Sequence, residues 1–237
     1  FTDIEWGHGT EDPKTFHPTD FDARQWCRIF KDAGMKAVIL TAKHHDGFCL
    51  WPSAQTKHDV AASDWLDGKG DVLRELSEAC IEYGLKFGVY LSPWDRNHPL
   101  YGTGEAYNQA FAGQLEEVLT QYGPVFEVWF DGANGEGPNG KKQIYDWDLF
   151  HETVFRHQPE AIIFSDVGPG CRWVGNERGY AAETNWNTLN VADYGPGTPN
   201  YHELTEGNRG GTHWVPAEAD VSIRPGWYYH PDQDDKV

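Results

Sequence analysis

Basic residues are scarce in this chain of 237 residues. It has 19 Lys and Arg against 37 Asp and Glu, which gives a formal charge of −18. Such a polyanion is a poor partner for nucleic acid or for an anionic membrane, because both are bound through clustered cations. The sequence also lacks an apolar run long enough to span a membrane. We therefore predict a neutral ligand, no nucleic-acid partner and no membrane span.

Cysteine pairs and nucleotide-binding motifs are absent as well. Cys27, Cys49, Cys80 and Cys171 lie far apart and form no Cys-x-x-Cys pair, so we expect buried free thiols rather than disulfides or a zinc site. Neither a Gly-x-Gly-x-x-Gly motif nor a P-loop follows a predicted strand, which argues against the nucleotide-binding folds. No cofactor is predicted from these patterns.

Aromatic residues are what the chain has in excess. They make up 14% of the sequence and include 11 Trp and 11 Tyr, more than a core of this size needs. Rings with an apolar face and one polar edge stack on sugars and line binding pockets, although most of these rings should pack in the core. The composition thus favours a binding site rich in aromatic side chains.

One unit recurs four times along the chain: a helix, a Gly or Pro that ends it, a buried strand, and polar residues at the strand tip. The strands begin near residues 37, 86, 125 and 161. The helix before the first strand should start at Thr19 or Asp20 and bury Trp26, Ile29, Phe30 and Ala33, which share one helical face. Later helices are predicted at about 71–83, 105–122 and 142–158.

Helices that alternate with continuous apolar strands indicate a parallel α/β sheet. Polar residues at successive strand ends favour an irregular (β/α)8, TIM-like barrel, because the active site of such a barrel collects there. Beyond residue 165 only short strands are predicted, at 180–184, 212–215 and 221–224, and no helix. A barrel needs eight strands. We therefore expect one barrel domain over residues 1–237 that lacks its first or last strand and belongs to a longer chain.

Two strand ends carry the residues best suited to chemistry. Val128–Gly132 places Asp131 at a strand tip before Gly132, where it could be catalytic or could simply shape an Asp-Gly turn. The other strand ends in His44, His45 and Asp46. These side chains could bind a metal, hydrogen-bond a hydroxylated ligand, or satisfy loop backbone groups. A zinc site would want a further spaced His or Cys, and none is obvious.

Hydrolysis of a glycosidic bond needs a second carboxylate across the bond from the first. The candidates at strand ends and in loops are Glu177, Glu183, Asp166, Glu218 and Asp220. Glu177 lies near Trp173 in a loop flanked by glycines. These grounds alone favour a solvated loop carboxylate over a catalytic role for Glu177.

Four stretches together resemble a known family. They are 37–53 (AVILTAKHHDGFCLWPS), 125–137 (VFEVWFDGANGEG), 165–177 (SDVGPGCRWVGNE) and 218–230 (EADVSIRPGWYYH). They resemble the α-L-fucosidases of glycoside hydrolase family 29, and most of all the branch that prefers α-1,3/1,4-linked fucose. The resemblance implies a retaining glycosidase on an irregular barrel, often followed by a β-sandwich, which we do not find in this chain. It also makes a secreted, periplasmic or lysosomal-type compartment plausible, although a chain that starts with Phe1 shows no targeting segment.

The resemblance further implies roles for individual residues. Asp131 matches the nucleophile, and Glu177 resembles the acid/base, with Glu183 and Glu218 as alternatives. His44 and His45 match the paired histidines that bind fucose hydroxyls.

The resemblance also implies roles for four aromatic residues. Tyr90 and Trp129 resemble pocket-lining residues, Trp51 is expected to form a wall for the fucose methyl group, and Trp173 with the loop 132–140 is expected to hold the leaving group. The family's further sugar-binding histidine on the first strand has no counterpart here, so the isolated fragment is expected to be inactive.

Two other functions stay open at this point. One is a metal-dependent hydrolase that uses His44, His45, Asp46 and Asp131. The other is a sugar-binding barrel without activity. A requirement for metal would favour the first, and tight fucose binding without hydrolysis would favour the second.

Overall fold

The computed structural model describes residues 7–197 and 201–235. Its main helices are α1 (Ala23–Asp32), α2 (Val72–Tyr83), α3 (Glu105–Gln121), α4 (Trp147–His157) and α5 (Tyr201–Glu206). Its strands are β1 (Ala37–Lys43), β2 (Lys86–Leu91), β3 (Glu127–Trp129), β4 (Ile162–Ser165), β5 (Cys171–Trp173), β6 (Thr188–Leu189), β7 (His213–Trp214) and β8 (Ala217–Glu218). The helix–strand unit predicted four times is therefore confirmed, with α1 to α4 each preceding one of β1 to β4.

Six strands form one sheet in the order β1-β2-β3-β4-β5-β8. Every neighbouring pair in it is parallel. This is the predicted α/β architecture, an irregular barrel of the (β/α)8 type to which the described residues contribute six strands. Since the strands are parallel, all their carboxyl ends meet at one edge. His44 follows β1 and Asp131 follows β3 at that edge.

Helix α1 has the predicted periodicity but presents a different face to the protein. It starts later than expected, because the side chain of Asp22 caps it by accepting from the Gln25 N–H. Ala23 and Cys27 are the buried residues, whereas Ile29 is 53% exposed. The prediction that Trp26, Ile29 and Ala33 point inward is therefore wrong, whereas Phe30 does pack against the core. Small residues on the inner face let α1 pack closely against α2, a preference that apolar spacing alone cannot show.

Helices α2 and α3 are as predicted. Asp71 caps α2 and Gly84 ends it, with Leu73 and Leu76 buried against the sheet. The predicted thiol state is also confirmed: all four cysteines are free, and only Cys171 is partly exposed. The Sγ atoms of Cys27 and Cys80 lie 3.7 Å apart between α1 and α2.

The chain after residue 165 differs most from expectation. The predicted strands at 180–184 and 221–224 are absent, and the one at 212–215 is reduced to β7, which pairs antiparallel with β6. Strands β5 and β8 belong to the main sheet, and α5 was not predicted. These elements have two to six residues each, too few for a periodic pattern to emerge. In the described part of the chain, no helix combines the length and apolar character needed to cross a membrane.

A buried ion pair supports the end of β1 beneath the histidines. Lys43 Nζ donates to Asp95 Oδ2 at 3.1 Å and to Gln114 Oε1 at 2.9 Å. The Lys43 and Asp95 side chains are 0% and 1% exposed. Burial by itself would raise the pKa of Asp95, but Lys43 and the backbone N–H groups of His98 and Asn97 outweigh burial and lower it. The Lys43 ammonium and the Asp95 carboxylate therefore each compensate the buried charge of the other.

Replacing Lys43 with methionine is expected to lower the free energy of unfolding by about 3–5 kcal/mol, because it leaves the Asp95 carboxylate buried without its counter-charge. Urea denaturation of the full-length protein measures the loss. Lys36→Met, at an exposed position, is the matched control and should change stability by less than about 0.5 kcal/mol. Adding Asp95→Asn to the Lys43 variant should restore part of the stability. Equal stability of Lys43→Met and the control would contradict this account.

Candidate active site

A cavity of about 600 Å³ opens at the carboxyl ends of β1, β2 and β3. It is lined by Ile39, Thr41, His44, His45, Tyr90, Trp129, Asp131, Glu177, Asp220, Trp227 and Tyr228. Six of the eight residues predicted to form the site therefore come together here. Their placement is a structural finding, and their roles remain predictions.

Asp131 lies two residues after the end of β3, with its side chain 26% exposed. Its Oδ2 accepts a hydrogen bond from the Tyr90 hydroxyl at 2.7 Å, and its Oδ1 accepts one from the Ala133 N–H at 2.8 Å. Burial, followed by the Asp131 charge, raises the pKa of Tyr90 well above its usual range. Tyr90 therefore stays protonated and acts as a donor. These two bonds hold the carboxylate in one orientation at the cavity wall.

Gly132 follows Asp131 because neighbouring atoms leave no room for a side chain at this position. A Cβ atom at this position would lie 2.2 Å from Asp166 Oδ2 and 2.5 Å from the Gly197 backbone nitrogen. Asp166 itself accepts a hydrogen bond from the Gly197 N–H at 2.6 Å. Burial raises the pKa of Asp166 to about 6. Glycine thus lets a neighbouring carboxyl and loop pack against the strand tip.

The two histidines point in neighbouring directions, because the chain turns after β1. The Gly47 N–H donates to the His44 carbonyl at 3.0 Å, and the ring centres of His44 and His45 lie 4.1 Å apart. A Cβ at Gly47, where φ is +80°, would meet Asp95 Oδ1 at 2.2 Å. The turn therefore requires glycine at this point. His44 stacks on Tyr90 at 5.6 Å between ring centres.

The hydrogen bonds of His45 determine which nitrogen carries its proton. Its Nδ1 lies 2.6 Å from Ser92 Oγ, and the Ser92 hydroxyl donates its only proton to the Trp94 carbonyl. Nδ1 must therefore be the donor to Ser92. Burial lowers the pKa of His45 to about 3, so the ring is neutral and Nε2 is an acceptor. Nε2 lies 3.7 Å from Asp131 Oδ2, where it can accept a hydrogen bond from a ligand hydroxyl.

Trp129 forms part of the cavity wall and is held from three sides. It stacks on Tyr90 at 5.1 Å and on Phe164 at 3.9 Å. Its indole Nε1 donates to Glu218 Oε1 at 3.1 Å. Glu218 lies beside Glu127, and burial together with the Glu218 carboxyl raises the pKa of Glu127. This pair of neighbouring acids was not predicted from the sequence.

The structure places the candidates for the second carboxylate in different surroundings. Glu177 and Asp220 line the cavity with Asp131. Glu218 bonds the Trp129 indole and Glu183 is exposed, and neither is among the described residues that line the cavity. Burial raises the pKa of Asp220 to about 7, and Glu218 and Glu177 add to this shift. Glu177 also lines a second, more open cavity of about 720 Å³. Among the lining residues described here, it alone belongs to both cavities.

Two of the predicted aromatic residues lie elsewhere. Trp51 is fully buried, and its indole donates to Glu117 Oε2 on α3 at 2.8 Å. The prediction that Trp51 forms a wall of the sugar site is therefore wrong, because its ring packs in the core while its N–H bonds a helix carboxylate. Trp173 lines the second cavity beside Glu177 rather than the first. This position suits the predicted contact with a leaving group, which remains a prediction.

Several lining residues escaped the sequence analysis. Trp227 and Tyr228 come from the irregular segment 218–230, and Ile39 and Thr41 come from the first strand. The alternation of β1 could have identified Ile39 and Thr41 as residues on one strand face. Segment 218–230 gave no such signal, because only Ala217–Glu218 is a regular strand there.

Asp46 does not join His44 and His45 in the cavity lining. Its carboxylate accepts from the Phe48 N–H at 2.9 Å within its own turn, and burial raises its pKa to about 6. Among the residues that the structure describes, no group of three or more His, Cys, Asp and Glu side chains is arranged to hold a metal ion.

The sequence matches a known family model and curated proteins over nearly its whole length. A family model described as Alpha-L-fucosidase matches residues 4–235. Alpha-L-fucosidase 1 of Arabidopsis thaliana is 49% identical over 238 residues, which cover 100% of this chain and 46% of that protein. The chain thus spans about half the length of the curated relatives that it matches.

Solved structures agree with these sequence matches. A glycoside hydrolase 29 family member from an unknown rumen bacterium superimposes with a TM-score of 0.89 and 50% identity, covering 98% of this chain and 43% of that chain. A GH29 fucosidase of Ruminococcus gnavus, solved in complex with fucose, gives a TM-score of 0.83 and 34% identity, covering 98% of this chain and 52% of that chain.

Proposed function

The chain belongs to the α-L-fucosidase family, glycoside hydrolase family 29, and from this premise we propose that it carries the catalytic centre of a retaining exo-α-L-fucosidase. The substrate is a terminal α-L-fucose on an oligosaccharide or glycoconjugate. Fucose is uncharged, which agrees with the formal charge of −18 and with a cavity whose described lining includes aromatic rings and carboxyl groups but no Lys or Arg.

The proposed reaction is a double displacement. Asp131 attacks the anomeric carbon and forms a covalent glycosyl ester, while Glu177 transfers its proton to the glycosidic oxygen and the bond from carbon to that oxygen breaks. Water then attacks the anomeric carbon, and Glu177 takes the proton from the water as Asp131 leaves. The Tyr90 and Ala133 donors hold Asp131 in place for the attack.

The neighbouring side chains suit recognition of a hydroxylated ring. His45 is neutral and presents Nε2 as an acceptor near the nucleophile, so it can accept a hydrogen bond from a sugar hydroxyl. His44, whose pKa is lowered by burial, lies beside it on the same wall. Trp129 and Tyr90 supply apolar ring surface for the carbon face of the sugar.

Glu177 lines both cavities, a position that we call the junction of the two cavities, and this observation carries the proposal. A leaving-group acid must contact the oxygen that joins the departing sugar to the rest of the substrate. If fucose occupies the cavity beside Asp131, that oxygen should face the remaining sugars, and Glu177 is the lining residue that this cavity shares with the second one. The open second cavity would accept the remaining sugars, which supports α-1,3/1,4-linked fucose in a branched oligosaccharide as the substrate.

Activity of the full-length protein on three substrates tests the proposal. We expect hydrolysis of an aryl α-L-fucoside and of a trisaccharide with α-1,3- or α-1,4-linked fucose, and slower hydrolysis of an α-1,2-linked fucoside. NMR should show α-L-fucose as the first product, and a chelator should leave the rate unchanged. Fucose binding without hydrolysis, β-L-fucose as the first product, or loss of activity in chelator would each contradict it.

A further inference from the structure

Trp227 makes a contact with the proposed acid/base that the sequence did not suggest. Its indole Nε1 donates to Glu177 Oε2 at 3.2 Å. The ring lines the cavity but is 53% exposed, so its position is not explained by packing in the core. An exposed indole that keeps a directed hydrogen bond to a functional carboxyl is more consistent with control of that carboxyl than with stability.

The segment that carries Trp227 is tied to the opposite wall of the cavity. The hydroxyl of the next residue, Tyr228, lies 3.4 Å from His44 Nδ1, and the two rings meet edge to face at 6.1 Å. Just before Trp227, the Ser222 hydroxyl donates to the Gly226 carbonyl at 2.6 Å and closes a short turn. These contacts hold the backbone on both sides of Trp227.

The chemistry of the indole N–H assigns different roles to the two oxygens of Glu177. The indole N–H can only donate a hydrogen bond and cannot accept one. An oxygen that accepts such a bond is the poorer place for the carboxyl's own proton. With Oε2 bonded to Trp227, the acid proton is held on Oε1, which is then the oxygen that meets the glycosidic bond.

We propose that Trp227 is a positioning residue that holds Oε2 of Glu177, so that Oε1 carries the proton delivered to the leaving group. This inference rests on the proposed function, in which Glu177 is the acid/base. In the first step, the Oε1–H bond breaks as the proton moves to the glycosidic oxygen, and the anomeric carbon exchanges that oxygen for a carboxylate oxygen of Asp131. Trp227 takes no part in bond making.

Leaving groups that differ in their need for a proton distinguish this role from a structural one. The experiment compares Trp227→Phe with wild-type full-length protein on phenyl α-L-fucoside and on 2-chloro-4-nitrophenyl α-L-fucoside. Both have an aromatic leaving group of similar size, but only phenol needs protonation to depart readily. We expect kcat/KM to fall about tenfold or more on the phenyl substrate and less than about threefold on the activated one, since misplacing a catalytic group is costly only where that group acts.

Two further variants complete the test. Tyr229→Phe is the matched control, because its hydroxyl bonds Asp234 at 3.1 Å and its ring is outside the cavity lining. It should leave both rates unchanged. Trp227→His keeps an N–H donor and should retain more activity on the phenyl substrate than Trp227→Phe does. An equal loss on both substrates, no loss, or equal behaviour of the Phe and His variants overturns the inference. A wild-type protein that hydrolyses neither substrate overturns the proposed function instead.

Discussion

Replacing Asp131 with asparagine is expected to lower kcat on an aryl α-L-fucoside by more than about 10⁴-fold, because the amide keeps the size of the side chain but cannot form the glycosyl ester. Asparagine can still accept from the Ala133 N–H through Oδ1, so the fold and the sugar site should persist. Steady-state kinetics and the thermal midpoint, both on the full-length protein, measure the two effects separately.

The product formed with azide identifies Asp131 as the nucleophile. In Asp131→Ala, azide can occupy the space left by the carboxylate and attack an activated fucoside directly, and this single displacement gives β-L-fucosyl azide. Asp148→Asn, an exposed acid on α4, is the control and should keep full activity. If Asp131 only shapes the turn before Gly132, its variants should lose stability along with activity, and azide should restore nothing.

Replacing Glu177 with glutamine should produce the complementary result. The rate on a trisaccharide should fall by about 10²- to 10⁴-fold, the usual contribution of a general acid. An aryl substrate with a good leaving group should still form the glycosyl-enzyme. Azide needs no general base, so it should accelerate breakdown of that intermediate and give α-L-fucosyl azide. The anomer is therefore opposite to the one expected for Asp131→Ala.

Asp220 is the alternative candidate for the general acid, so its variant is compared with that of Glu177. It lines the same cavity, and a pKa of about 7 would let it hold a proton near neutral pH. It does not, however, line the second cavity, whereas Glu177 lies at the junction. Asp220→Asn should therefore lower the trisaccharide rate much less than Glu177→Gln, and azide should not enhance it. The reverse order of the two variants would transfer the acid role to Asp220.

The first four helix–strand units could be predicted because each signal is local. A buried strand of five to seven apolar residues, a glycine stop and a capping Asp act over a few neighbours, as Asp71 and Gly84 do at the two ends of α2. The inner face of α1 could not be predicted in this way. Whether Ile29 or Cys27 points inward depends on how closely α2 approaches, which is a property of the pair of helices.

The same distinction separates the correct from the incorrect site predictions. Regular strands lead into His44 and Asp131, and Tyr90 lies near the end of another strand. The parallel sheet therefore brings these residues to one edge. Trp51 follows a strand too, but the loop turns its ring into the core and its N–H towards Glu117. Trp227 and Asp220 come from a segment almost without regular structure, and only tertiary packing places them at the cavity.

The sequence by itself determined the alternation of helices and strands, the strand tip that carries Asp131, and the resemblance to a fucosidase. These depend on residue type and short-range spacing, which do not change when the chain folds. Only the tertiary structure decided the tautomer of His45, the reason for Gly132, and which carboxylate stands at the junction of the two cavities. Each of these depends on contacts between atoms that are distant in the chain. Such contacts form only when the sheet brings separate strands and loops together.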